Sequence, residues 1–260
     1  WHVFNFDNST GFTAINTMGS DSSFTSDVFA PTLTEVTAVT TPDNDQTPSY
    51  TFNSIEAGTI TYGGSCSSSD TSAIAGNNTV TFNTLSEGTY NDCKISVTDS
   101  ASNTSDNLSV SAFTIDRTAP SLSQVTAVPT PSSDNTSSYT FSSNESGTIT
   151  YGGSCSSSDN SSSASNNTVT FNALSDATYS NCTITVTDSA GNASNPLSVN
   201  SFTIDTTAPT LSEVTAVSTP DNDSTPSYTF NSSEAGTITY GGSCSSSDNS
   251  SSASNNTVTF

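Results

Sequence analysis

The 260-residue chain has almost no positive charge: Lys94 and Arg117 stand against 24 Asp and Glu, for a formal net charge of -22. Phosphate backbones and anionic membrane surfaces are held by Lys and Arg, so both are excluded as partners. The single histidine, His2, sits at the amino terminus, which leaves Ser-His and Cys-His pairs and His-based zinc sites without their parts. No apolar run is long enough to span a bilayer, and no signal peptide is present. The first residue is Trp1 rather than Met, so the chain reads as processed or as a fragment. Leu, Ile, Val and Phe together number only 45. Such a composition ordinarily belongs to disordered chains, which bury too little apolar surface to offset the entropy of ordering. Small β modules are the exception, because a strand with one wet face needs an apolar residue only at every second position.

What is present is a repeat of 89 residues. Ala30-Pro31 returns as Ala119-Pro120 and Ala208-Pro209, and Cys66 returns as Cys155 and Cys244. Residues 120–171 and 209–260 differ at only 10 of 52 positions, which makes them copies of one structural unit. The layout is therefore a leader at 1–30, complete repeats at 31–119 and 120–208, and a third at 209–260 that stops partway. The leader ends in SFTSDVFAP, which matches SFTIDTTAP at 201–209, so it reads as the closing strand of a preceding or neighbouring unit.

Within a repeat the apolar pattern has period two. In the first, the expected strands are 33–39, 49–53, 58–62, 79–82, 90–98 and 108–115, separated by turn residues such as Pro42, Asn44, Gly63-Gly64 and Gly88. Six or seven short strands in about 90 residues point to an all-β fold, an antiparallel sandwich with Greek-key connections. LSEGTY at 85–90 and LSDATY at 174–179 have the pattern of a tyrosine corner, which places Tyr90 and Tyr179 at the start of strand F.

Units joined by IDTTAP, with VTDSAGN in the F–G hairpin and TPDNDSTPSYTF leading into strand B, resemble the bacterial immunoglobulin-like (Big-type) tandem repeats of large secreted adhesins and biofilm surface proteins. The resemblance covers residues 31–260 and part of the leader. It implies tandem immunoglobulin-like sandwiches arranged as a rod, on a cell surface or outside the cell. The cysteines depart from the common pattern, and the first repeat has DSASN where the second has DSAGN.

The five cysteines are spaced 27, 62, 27 and 62 residues apart. In an immunoglobulin-like sandwich strands C and F are antiparallel neighbours. Cys66, after strand C, then lies beside Cys93 near the start of F, and Cys155 and Cys182 repeat the arrangement. Two disulfides follow, and with them an oxidising, extracellular compartment. Buried free thiols are the alternative; a metal site finds no further soft ligands nearby. Cys244 has no partner within the sequence.

The same topology brings acidic and amide side chains of adjoining repeats together. At the first boundary Asp43, Asp45 and Asp116 approach Glu145, Asp188 and Asn192. At the second, Asp134 and Asp205 approach Glu234, and before the first repeat Asp27 approaches Glu56, Asp99 and Asn103. Calcium takes six to eight hard oxygen ligands, and the resembled family is known for calcium at such junctions. The competing reading is that Asp and Asn merely shape turns by bonding their own backbone.

Near-identical repeats suit a stalk, an adhesin spacer or a filament subunit better than a catalyst, which has no use for copies. The partners expected are neighbouring copies or further modules of the same protein. A surface glycan or protein ligand is the second possibility, with specificity in the leader, where Trp1, Phe4, Phe6 and Phe12 cluster. No enzyme is expected. The third repeat lacks the sequence for strands F and G, so its core is expected to stay open. A continuation of the repeat would close it, and so could the strand-like leader segments of a neighbouring copy, at 2–6, 11–15 and 22–29.

Overall fold

The computed structural model describes residues 26–260 throughout, and before them the backbone of two short strands. These are β1 (Thr13–Ala14) and β2 (Phe24–Thr25), paired antiparallel. The described residues form strands, turns and loops with no helix. Among the described residues, no helix is long and apolar enough to cross a membrane.

The first repeat is built of three sheets. β3 (Leu33–Thr37), β4 (Ser49–Ser54) and β7 (Gly76–Thr81) form one, in the order β3-β4-β7. A second runs β10-β9-β5-β6, from β5 (Gly58–Gly63), β6 (Ser72–Ala73), β9 (Lys94–Thr98) and β10 (Leu108–Ser109). β8 (Gly88–Tyr90) pairs with β11 (Phe113–Ile115). All of these pairings are antiparallel, and the class is a β-sandwich. Alternation decides which side chains go in: in β4, Tyr50, Phe52 and Ser54 are buried while Ser49, Thr51 and Asn53 face outward. The core is one cluster of apolar residues running from Val39 to Ile115.

The same set of strands returns 89 residues on: β12 (Leu122–Thr126), β13 (Ser138–Ser143), β14 (Gly147–Gly152), β15 (Ser161–Ser162), β16 (Asn166–Thr170), β17 (Ala177–Tyr179), β18 (Thr183–Thr187), β19 (Leu197–Ser198) and β20 (Phe202–Ile204). Their core is a separate cluster from Val128 to Ile204. The third repeat contributes β21 (Leu211–Thr215), β22 (Ser227–Ser232), β23 (Gly236–Thr237), β24 (Ser250–Ser251) and β25 (Asn255–Thr259).

Several expected strands differ in extent. The strand expected at 90–98 is two, β8 and β9, because the chain at 91–93 turns Cys93 into the core. The strand at 108–115 divides likewise into β10 and β11. β7 begins at Gly76 rather than 79, since the inward position there is Asn78 and not an apolar residue. Asn78 is 8 % exposed and satisfies its amide by accepting from Ile74 N at 2.8 Å and donating to Ile74 O and Gly76 O at 2.9 Å. β6 carries no apolar alternation and was not expected.

The edge strand of each three-stranded sheet carries a bulge, between Glu35 and Thr37, Gln124 and Thr126, and Glu213 and Thr215. The bulged Val36, Val125 and Val214 are exposed. A bulge on an outer strand spoils its register as a template for other chains.

Candidate functional site: stapled loops and repeat boundaries

Cys66 is joined to Cys93 and Cys155 to Cys182, with Cα–Cα separations of 5.2 and 5.3 Å. The Gly63-Gly64 turn delivers Cys66 to this position. Gly64 has φ of 76°, and a Cβ there would collide with the Asp92 carbonyl, so the close approach of the two loops requires glycine. Ser65 ties the same loops together, donating from its backbone N and Oγ to the Asp92 carboxylate at 3.2 and 2.9 Å. Those bonds, with a smaller contribution from Lys94, hold the Asp92 carboxyl below its ordinary pKa against a weak opposing effect of desolvation. In the second repeat Ser154 N donates to Asn181 Oδ1 at 3.2 Å instead. Cys244 is exposed and unpaired.

The tyrosine corners form as the pattern implies. Tyr90 Oη donates to Ser86 O at 2.8 Å and Tyr179 Oη to Ser175 O at 3.0 Å. The rings of Tyr62 and Tyr151 pack edge-on against Phe82 and Phe171, and their hydroxyls donate to Asp70 O and Asp159 O at 2.6 and 2.5 Å.

At the boundary between the first two repeats, Asp116, Glu145 and Asp188 place carboxylate oxygens within 4.8 Å of one another. Asp27, Glu56 and Asp99 form the equivalent group at the start of the first repeat. In each group one carboxylate precedes the repeat, one lies in the turn after β4 or β13, and one opens the turn after β9 or β18. That last turn is locked by its own aspartate. Asp188 Oδ1 accepts from Ala190 N and Asn192 N at 2.9 and 2.8 Å, and Asp99 Oδ1 does the same with Ala101 and Asn103 at 2.7 and 2.9 Å.

The asparagine of each turn reaches across the boundary. Asn192 Nδ2 donates to Asp188 Oδ2 and to Asp116 O, both at 2.9 Å. Asn103 Nδ2 donates to Asp99 Oδ2 at 2.8 Å and to Asp27 O at 3.2 Å. This clasp recurs although Ser102, with φ of 72°, stands where Gly191 stands in the second repeat. The Asn103 side chain, followed by backbone donors of its turn, lowers the Asp99 carboxyl despite some desolvation. Glu145 moves the other way: desolvation first, then the negative charges of Asp116 and Asp188, raise its pKa. Three carboxylates in this arrangement repel one another and offer hard oxygens to a cation.

The remaining acidic residues of the expected sites are used locally. Asp43 Oδ1 accepts from Asp45 N at 3.0 Å, and Asp45 Oδ1 accepts from Thr47 N at 2.8 Å. Asp134 Oδ1 accepts from Thr136 N at 2.9 Å, and Asp205 Oδ1 from Thr207 N at 3.2 Å. Such turns closed on their own backbone are not confined to these residues: Asp27 Oδ1 and Asp116 Oδ1 also accept, from Phe29 N and Thr118 N, both at 3.1 Å. Among the described residues, Asp134, Asp205 and Glu234 do not join a three-carboxylate group. At both boundaries where a group forms, its third carboxylate comes from the turn after β9 or β18. Trp1, Phe4, Phe6 and Phe12 lie outside the described residues.

One contact was not legible in sequence. Glu35, on β3, accepts from Ser111 N at 3.0 Å and Ser111 Oγ at 2.7 Å, clasping the edge strand to the segment between β10 and β11. Desolvation works to raise the Glu35 carboxyl, but the Ser111 bonds outweigh it and the pKa is lowered. Burial, and then the Glu35 charge, raise the pKa of the Tyr50 phenol behind it. In the second repeat Gln124 replaces Glu35, and Asn200 clasps instead, accepting from Val128 N at 2.9 Å and donating to Val128 O at 3.1 Å.

No protein-family model matches the chain, and neither a curated protein nor a solved structure matches it.

Proposed function

We propose that the chain is an extracellular structural protein, a stalk, adhesin spacer or filament subunit whose tandem immunoglobulin-like modules stack as a rod. Its partners are further modules or neighbouring copies of the same protein, and calcium bound by the boundary carboxylates stiffens the joints. The observation that carries the reading is the recurrence of one boundary at the start of both complete repeats: the Asn clasp on Asp27 O and Asp116 O, and the carboxylate trio beside it. Spacers need the same joint many times, whereas a ligand site is needed once. The disulfides support an oxidising location.

Pulling single molecules tests this reading. Each stapled module should yield at a discrete force and release roughly 20 nm of chain, because the 27-residue loop stays closed and about 62 residues extend at ~3.5 Å each. Reduction should lengthen the step to roughly 30 nm. Extension at forces typical of unfolded chain, with no discrete steps, would refute a load-bearing stalk.

A further inference from the structure

The three-stranded sheet of each complete repeat has two edges, and only one of them is spoiled. β3 and β12 carry the bulges between Glu35 and Thr37 and between Gln124 and Thr126. The opposite edge is β7 in the first repeat and β16 in the second, and among the described residues no strand lies beyond either. Both pair with β4 and β13 in unbroken register, and neither contains a proline or a lysine. The usual devices that stop an edge from recruiting another chain are therefore missing here.

Register identifies the open backbone groups. Phe82 N donates to Pro48 O at 3.0 Å, so Val80 and Asn78 likewise turn toward β4, while Asn77, Thr79 and Thr81 turn outward. Thr81 is occupied: its N donates to Asp70 Oδ2 at 3.0 Å and its O accepts from Ser68 Oγ at 2.5 Å. Asn77 and Thr79 face the side where no strand lies, and both are exposed. The second repeat has the same arrangement. Phe171 N donates to Ser137 O at 3.1 Å, Thr170 N donates to Asp159 Oδ2 at 2.9 Å, and Asn166 and Thr168 face outward.

Charge and symmetry indicate the occupant. The chain carries a net charge of -22, yet residues 71–86 and 160–175 contain no charged side chain, and neither do the outward positions Ser49, Thr51 and Asn53 of β4. A second copy can approach along this strip without the repulsion it meets elsewhere. Two such strands run antiparallel about Asn78 set Asn77 of one against Thr79 of the other, twice, so that every open residue is paired. Side-chain pairs of these types already exist within the sheet: Asn53 Nδ2 donates to Asn77 Oδ1 at 2.9 Å, and the Thr51 and Thr79 hydroxyls are 2.9 Å apart. We propose that the outer edges of β7 and β16 dock the same strands of a second copy of this chain through antiparallel main-chain pairing. Residues 77–81 and 166–170 have one sequence, NNTVT, so either edge accepts either. Asp70 and Asp159 close one end of each strand and the bulges spoil the opposite edge, so the contact joins sheets in pairs and does not propagate. It concerns each module by itself and stands apart from the rod reading.

Amide hydrogen exchange on the full chain tests this. In a single copy the Asn77 and Thr79 amides meet water, whereas the Thr81 amide is held by Asp70. Raising the protein from ~10 μM to ~1 mM should slow exchange at Asn77, Thr79, Asn166 and Thr168 by about threefold or more and leave Thr81 unchanged. Thr79→Pro, Thr168→Pro and Thr257→Pro together remove outward N–H groups that the sheet of a single copy does not use, so the modules should stay folded and the slowing at Asn77 and Asn166 should vanish. Aspartate at the same three positions keeps the N–H, adds charge to the strip, and should weaken the slowing severalfold even where a proline variant fails to fold. Exchange that does not depend on concentration would overturn the proposal. So would slowing that survives both sets of substitutions, which would place the contact between copies on another surface.

Discussion

Reducing the staples offers a perturbation whose size follows from chain statistics. Cys66–Cys93 and Cys155–Cys182 each close a loop of 27 residues. In the chain-entropy treatment such a loop stabilises its module by ~3.5 kcal/mol. For a domain of this length each kcal/mol moves the midpoint by about 4–8 °C, so reduction should lower both midpoints by ~14–28 °C. The half-cystines are buried at 2–5 % exposure, so the reduced thiols remain as small apolar groups and the loss is mainly that of the cross-link. Calorimetry on the chain with and without reductant reads the shift. Cys93→Ser and Cys182→Ser, taken separately, assign it, each lowering only its own module because the two cores are separate clusters. The third repeat is an internal control, since Cys244 is unpaired and should not respond. A shift under about 5 °C in both modules would mean that packing, not the staple, holds these lean sandwiches.

The clasp at Glu35 should make the first repeat acid-sensitive. Its pKa is lowered on folding, so the stabilisation is complete above the unfolded value near 4.5 and is lost as pH falls through the folded value. Glu35→Gln should therefore cost no more than about 1 kcal/mol at pH 7, the side chain being largely solvated, and nothing near pH 2.5; urea melts at the two pH values decide. Glu145 has the opposite sign: its raised pKa means that the boundary gains stability as pH falls and loses it as pH rises through the folded value. In chelator at pH 7, Glu145→Gln should raise the midpoint of the second repeat by a few degrees, and it should weaken any calcium response; a lowered midpoint would contradict the repulsion. Gly64→Ala, which forces a Cβ into the Asp92 carbonyl, should destabilise the first repeat by ~1–3 kcal/mol, whereas Gly76→Ala meets no contact and should cost less despite its positive φ; equal losses would show that backbone conformation alone matters.

The β class, the positions of the main strands and the tyrosine corners were legible because inward residues such as Tyr50, Phe52 and Ile60 alternate with Thr, and because the pattern returns 89 residues later. What escaped detection follows from groups that sequence periodicity does not weigh. Asn78 occupies a core position and hides the start of β7. Cys93 interrupts a strand that reads as continuous. The Glu35–Ser111 clasp joins residues 76 apart and replaces its chemistry entirely in the next repeat, so the repeat gives no hint of it. Which carboxylates converge was not legible either: Asp43, Asp45, Asp134 and Asp205 each accept a backbone N–H two residues on, but so do Asp27 and Asp116, which lie in the three-carboxylate groups.

Whether the repeats are arranged as an extended rod is read by small-angle scattering in calcium. A compact body of 260 residues would have a radius of gyration of ~18 Å. Three module-sized bodies of ~12 Å each, stacked end to end at roughly 31 Å spacing, would give about 28 Å. A rod should give a value near the larger figure with calcium, falling or broadening when chelator frees the joints. A value near 18 Å in calcium would contradict a rod, whatever the boundary carboxylates bind.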